Sequence, residues 1–257
     1  MFDNLGLYVS TISQGLLLTV EATLGGIVIA TILSFVFGLA MLSRSRTVRV
    51  VARIYVEIWR GTSEVVQLLW IYFVLPVLIG YRIVPLVAGI VVLGLNFGAY
   101  GAEIVRGAVR SVPKAQYEGA VALNLTATQR MRRVILPQAL VEMVPPFNNL
   151  FIQLLKGSAL LTMITVHEMT YQAREVLIDR HIDQAWLIWT LVLLFYLVLA
   201  IVITIVMRAL EKWAGKLVGR KPPRQGFFRM LASKPTDVLV PEHTPRDLLE
   251  HQGGGAR

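Results

Sequence analysis

The chain has 257 residues, 55% of them hydrophobic, a mean hydropathy of +0.63, a formal net charge of +9 and no cysteine. That composition excludes a water-soluble two-domain protein, disulfide cross-links, a thiolate nucleophile and a cysteine-ligated metal. The positive charge does not point to nucleic acid, because Lys and Arg gather beside the apolar runs, where membrane topology places them.

Residues 1 to 14 carry one acid and no Lys or Arg and read as an external N-terminal segment. The apolar run that follows lacks a basic region before it and is too long for a signal peptide's core, so no cleavable signal is expected. A span needs roughly 20 apolar residues. The first runs from about Leu16 to Leu42 and ends at Arg44, Arg46, Arg49 and Arg53, which marks its cytoplasmic side. A second, from about Ile54 to Ile79, returns outward to a short loop at 80–83. The third, from about Val84 to Val105, delivers Arg106, Arg110 and Lys114 to the inside.

Residues 138 to 168 are apolar but interrupted by Pro145, Pro146 and Gly157. They predict a fourth span, irregular near its start and again around 156–160, with its non-helical backbone covered by protein or by a water-filled cavity. Residues 169 to 184 are polar and expected outside, as a surface helix. The fifth span, Trp186 to Met207, closes on Arg208 and Lys212. From about Lys221 the periodicity is lost and a flexible cytoplasmic tail, 221–257, is expected. The expected fold is all-α: a multi-pass membrane protein of about five transmembrane helices over residues 15–220, N-terminus outside and C-terminus inside.

Between the third and fourth spans lies a basic island, residues 118–140, EGAVALNLTATQRMRRVILPQAL. Tyr117, Ala120 and Val121 fall on one face of a short helix that follows Pro113. Asn124 tolerates a left-handed bend. Thr126 and Gln129 have capping-box spacing for a second helix, along which Ala127, Met131, Val134 and Ile135 form an apolar stripe among Arg130, Arg132 and Arg133. Pro137 is expected to end it.

This island resembles the EAA loop of ABC-transporter permeases, from Glu118 and Ala120 through Leu123 and Leu125 to the closing Ile135–Leu140. Gly119 stands where Ala is usual and Asn124 where Gly is usual. Three further segments are similar, in order, to the permeases for polar amino acids and related small zwitterions: WRGTSEVVQLLWIYFVLP (59–76), LNFGAYGAEIVRG (95–107) and FIQLLKGSALLTMI (151–164). The resemblance covers about residues 12 to 210, and ALN with RMRRVILPQA also looks like the ectoine and hydroxyectoine permeases. It implies a type I ABC importer permease of the inner (cytoplasmic) cell membrane, working by alternating access. Its implied partners are an ABC ATPase dimer, a second like or unlike permease subunit and an external solute-binding protein. No GxxxxGK[ST] occurs, so ATP and Mg are expected on the ATPase and no cofactor on this chain. The implied docking residues are Tyr117, Glu118, Gly119, Ala120, Val121, Asn124, Met131 and Arg132.

Ionisable side chains inside spans are costly, so they belong in cavities or interfaces. Glu64, Gln67, Asn96, Gln153, Lys156 and Ser158 are the candidate substrate-binding residues, Lys156 attracting a carboxylate. Asn96 and Gln153 read equally well as interhelical hydrogen bonds, and Lys156 and Arg60 as snorkelling or pairing with Glu57. Glu103 is expected to brace Arg106 or Arg110. The family often has Asp where Gly157 stands, and a missing carboxylate there argues against lysine or arginine as cargo. An ion-driven secondary transporter or channel would leave the island unexplained. A membrane enzyme would need a nucleophile, base and orienter set, and none is recognisable.

Overall fold

The structure is a computed structural model that describes residues 4–217, within which every regular element is helical. Helices α1 (Leu5–Gln14) and α2 (Leu16–Ala40) form a first span. After α3 (Arg46–Gly61) the chain bends by 101° into α4 (Glu64–Leu69), which continues through a wide turn at Trp70–Val74 into α5 (Leu75–Ile79). Helix α6 (Pro85–Ser111) is the central span. Helices α7 (Lys114–Ala122) and α8 (Ala127–Arg130) make the basic island, and α9 (Leu136–Gly157) leads into a tight 3₁₀ stretch, Ser158–Ile164. The short α10 (Met169–Tyr171) and a wide-turn segment, Gln172–Ile178, precede α11 (Ala185–Leu217). Among the described residues three helices are long and apolar enough to cross a membrane, and up to five spans result if each of the two bent pairs counts as one.

The core is the contact between α2 and α6, which run parallel: Ile29 meets Gly94, Leu33 meets Gly98, and Gly38 meets Val105. Small residues let the two backbones approach closely, the usual device where lipid removes the hydrophobic drive for helix association. A Cβ on Gly94 would fall 2.5 Å from Ile29 Cγ2, and one on Gly101 would collide with the Ser34 hydroxyl. Ser34 Oγ donates within its own helix to the Ala30 carbonyl at 2.6 Å and lies 3.3 Å from the Gly98 carbonyl. Helix α9 packs on the same α2–α6 pair through Met143, Leu150 and Leu154.

A second core joins α1 to α10, the wide-turn segment after it and the start of α11. Tyr8 and Ile12 of α1 are fully buried against Met169, Ala173, Leu177 and Ile188. Residues 5–14 pack onto this core through the single helical face that carries Tyr8, Thr11 and Ile12. Residues 169–178 bury Met169, Ala173 and Leu177 in this core and leave Arg174 and Glu175 exposed, as an amphipathic segment at the surface does.

Glu168 fixes this region. With 0% of its surface exposed, its carboxylate accepts from the Thr162 hydroxyl (2.6 Å), the Tyr196 hydroxyl (3.1 Å) and the amides of Thr170 (2.8 Å) and Tyr171 (2.9 Å). It caps α10 while tying the 3₁₀ stretch to α11.

Three expectations are revised. The second span is broken: α3 is a separate amphipathic helix that buries Ala52 and Val56, and Thr62 and Ser63 are extended. Pro137 does not end a helix, because a wide turn over Met131–Ile135 absorbs it and leads directly into α9. Pro145 and Pro146 lie inside α9 without interrupting it. The tail expectation, 221–257, falls outside the described residues.

Substituting Glu168→Ala removes the acceptor from two hydroxyls and two amides, at about 1–3 kcal/mol per buried group left unpaired. A clear fall in the thermal unfolding midpoint of the purified chain is expected. Gly101→Leu should do the same by overpacking, at roughly 1–3 kcal/mol or more. Gly107→Ala, with nothing within 4 Å of its new Cβ, should leave the midpoint unchanged or slightly raised.

Candidate functional site

The break between α3 and α4 opens a cleft of about 490 Å³, within the range of small-molecule sites. Thr62, Ser63 and Glu64 of the break form one wall, and Asn96, Phe97 and Tyr100 of the middle of α6 form another. Gln153, Lys156 and Gly157 of the last turns of α9, with Leu160 beyond, complete it. Irregular backbone at this depth needs such a lining, because broken helix ends leave carbonyls and amides without intrahelical partners.

The Trp59 carbonyl, in the last turn of α3, is one of those orphans. Asn96 Nδ2 donates to it at 3.0 Å and Gln67 Nε2 at 2.9 Å. Gln67 Nε2 also donates to Thr62 Oγ1 at 2.6 Å, while Gln67 Oε1 accepts from Asn96 Nδ2 at 2.9 Å. Gln67 thus braces the break from behind and does not line the cleft. Asn96 does both: its amide nitrogen is committed to the brace, which leaves Oδ1, an acceptor, as its remaining polar group. Ser158 is buried, donates to the Leu155 carbonyl at 2.7 Å and lies off the cleft wall. Four of the six candidates, Glu64, Asn96, Gln153 and Lys156, therefore come together and two stand behind them.

Neither Glu64 nor Lys156 has a hydrogen bond or ion pair among the described residues. Arg60 does not pair with Glu57 but lies over the Tyr100 ring, 5.1 Å from its centroid. Glu103 accepts from Arg106 Nε at 2.7 Å, as expected. Gly157 faces the cleft, but a Cβ there would sit 3.2 Å from Leu93 and 3.3 Å from Phe97, so a side chain would have to displace the α6 wall. Thr62, Ser63, Phe97 and Tyr100 were not among the sequence candidates. Their signals were the small polar pair after an amphipathic helix, the i, i+3 aromatic spacing and their place in the segments 59–76 and 95–107.

The basic island is a tight helix–bend–helix. The Leu125 amide donates to the Ala120 carbonyl (3.1 Å) and the Asn124 amide to the Val121 carbonyl (2.8 Å), a Schellman closure with Asn124 left-handed at φ 55°. Thr126 and Gln129 form the reciprocal capping box at 3.0 and 3.3 Å. Of the eight candidate docking residues, Ala120 is buried, and Tyr117 and Met131 pack against the main core. Glu118, Gly119, Val121, Asn124 and Arg132 are exposed, Val121 at 54%, and they are joined by Leu123 at 75%, the most exposed apolar side chain of the loop. From Ala127 the helix continues without a gap to Gly157, about 45 Å at 1.5 Å per residue. It links the loop to the cleft.

A polar cleft at a break between membrane helices, tied by one helix to a stiff loop, defines the membrane subunit of a transporter. More narrowly, the chain belongs to the family of binding-protein-dependent transport system inner membrane components, whose pattern matches residues 22–216. It is 41% identical over 217 residues to a protein of Sinorhizobium fredii described as probable amino-acid ABC transporter permease protein y4tF, covering 81% of this chain and 90% of that one. To the glutamine transport system permease protein GlnP of Escherichia coli it is 41% identical over 163 residues, covering 63% and 74%. The L-cystine transport system permease protein TcyB of Bacillus subtilis is 32% identical, over 81% and 88%. A crystal structure of an amino acid ABC transporter with histidines superposes with a TM-score of 0.74 at 29% identity, over 82% and 98%. The chain is thus the permease subunit of an ATP-driven importer, a multi-pass inner-membrane protein and not an enzyme.

Asn124→Gly should keep the bend and the thermal midpoint. Asn124→Val should cost about 1–2 kcal/mol, because a β-branched residue resists the left-handed region.

Proposed function

We propose that this subunit forms the membrane pathway for a polar amino acid or a related small neutral zwitterion, ectoine included. The observation that carries this reading is the unbroken helical run from the island to the cleft, which connects a docking surface to a solute-sized site that holds one carboxylate and one ammonium. The N-terminus lies outside and the island faces the cytoplasm, following the placement of Lys and Arg. Two permease subunits, like or unlike, face each other, and an external solute-binding protein delivers the solute.

A dimeric ABC ATPase, which holds ATP and Mg, receives the exposed side of the loop, with Val121 and Leu123 as apolar anchors and Glu118 and Arg132 around them. Closure of the ATPase dimer displaces the loop, and the helical run carries that displacement to Gln153 and Lys156. The cleft then alternates between the two sides of the membrane.

In proteoliposomes that hold the chain with its ATPase and solute-binding protein, uptake should depend on ATP and favour glutamine, other neutral amino acids or ectoine over arginine and lysine. Uptake driven by an ion gradient without the ATPase would overturn the reading, and a preference for arginine or lysine would overturn its substrate class. Leu123→Glu should cut recovery of the ATPase with the tagged chain about tenfold or more, since it puts a charge into an apolar contact.

A further inference from the structure

Glu64 and Lys156 reach one cleft from two different elements, the first turn of α4 and the last turn of α9. Glu64 is half-buried and Lys156 is exposed on the cleft wall, neither has a hydrogen bond or ion pair among the described residues, and Arg60 lies over the Tyr100 ring. An acidic and a basic side chain that line one cleft without bonding to each other, or to anything else described, leave an acceptor and a donor open to a guest. Asn96 offers only its Oδ1 acceptor, because Trp59 and Gln67 take its amide hydrogens.

We propose that Glu64 is a specificity-determining residue of this permease: with Asn96 Oδ1 it receives the cationic amino group of the solute, while Lys156 receives the carboxylate. The inference rests on the reading of the cleft as the solute site and deepens it by assigning which end of the zwitterion goes where. It also changes the weight of Gly157. The carboxylate absent from that position is supplied across the cleft by Glu64, and Lys156 balances it, so the pair selects molecules that carry both charges and no net charge. A second cationic group on the solute finds no further carboxylate among the lining residues.

The test is equilibrium binding of radiolabelled L-glutamine to the full chain with its ATPase in nanodiscs, without the solute-binding protein, so that only the membrane site discriminates. Unlabelled competitors are L-glutamine, its analogue without the amino group (glutaramate) and its analogue without the carboxylate (4-aminobutanamide). The wild-type complex should bind L-glutamine and prefer it to both analogues. Glu64→Gln should weaken L-glutamine about tenfold to a hundredfold, the size expected for a lost charge-assisted hydrogen bond, and leave glutaramate unchanged. Lys156→Met should do the reverse, weakening L-glutamine and leaving 4-aminobutanamide unchanged. Glu64→Asp, which keeps the charge, should retain the preference for the amino group, and this guards against a mere folding defect in Glu64→Gln.

Equal affinities for L-glutamine in wild type and Glu64→Gln, or a loss in Glu64→Gln that is the same for glutaramate, would overturn the assignment and leave the pathway reading intact. Absence of saturable binding by amino acids and by ectoine alike to the wild-type complex would overturn the pathway reading itself, and this assignment with it.

Discussion

The close parallel packing of α2 on α6 is the constraint from which the remaining architecture follows. Two parallel helices in one membrane require the chain between them to travel back, and that return is made by α3, α4 and α5. The glycines of α6 bring the two backbones so near that Ile29 and Leu33 fill the positions of the missing side chains. The return path crosses beside α6, where the Tyr55 hydroxyl donates to the Leu95 carbonyl at 2.7 Å, and it changes direction at Thr62 and Ser63. Cleft and break are one feature, since the turn both leaves the gap and creates the polar backbone ends that line it.

Such a break has to satisfy its own carbonyls, and the side chains that do so are the ones a functional reading singles out first. Asn96 and Gln67 illustrate the overlap. Both are polar at membrane depth, both bond to the end of α3, and only Asn96 also faces the cleft. The two readings of Asn96, interhelical bond and ligand, are therefore not alternatives, because one amide can spend its donors on the scaffold and keep its acceptor for a guest. At the other end of the molecule Glu168 is held by four donors, and no capacity is left over for a solute. Its role is to clamp the 3₁₀ stretch that follows Lys156 to α11, so the last turn of α9 is held from behind.

The helical run from Ala127 to Gly157 gives the proposed mechanism its physical basis. A helix with prolines at 137, 145 and 146 would ordinarily be expected to stop or kink. Here a wide turn at Met131–Ile135 supplies the slack that Pro137 requires, and α9 is pinned along its length by α2, α6 and α11. The Schellman closure and the capping box tie the two halves of the loop together, and the helical run then continues without a break to the cleft.

Sequence alone determined the features that depend on local chemistry. Hydrophobic run length gave a multi-pass all-α chain with a span count of five. Asn124, Thr126 and Gln129 announced the bend and the cap because a left-handed bend and a capping box need only residues within a few positions of each other. The charged and amide residues inside spans picked out Glu64, Asn96, Gln153 and Lys156, which line one cleft, because such side chains are costly against lipid wherever they occur. What only the tertiary structure decided were matters of direction and partnership. Ile54–Ile79 is apolar apart from Glu57 and the polar run from Arg60 to Gln67, and run length alone does not show that the chain turns there by 101°. Tyr117, Ala120 and Met131 share an apolar character with Val121 and Leu123, yet the first three are spent inside the subunit and the last two outside it. Hydrophobicity records that a side chain avoids water. Which surface shelters it is set by neighbours distant in sequence, and that information resides in the packing.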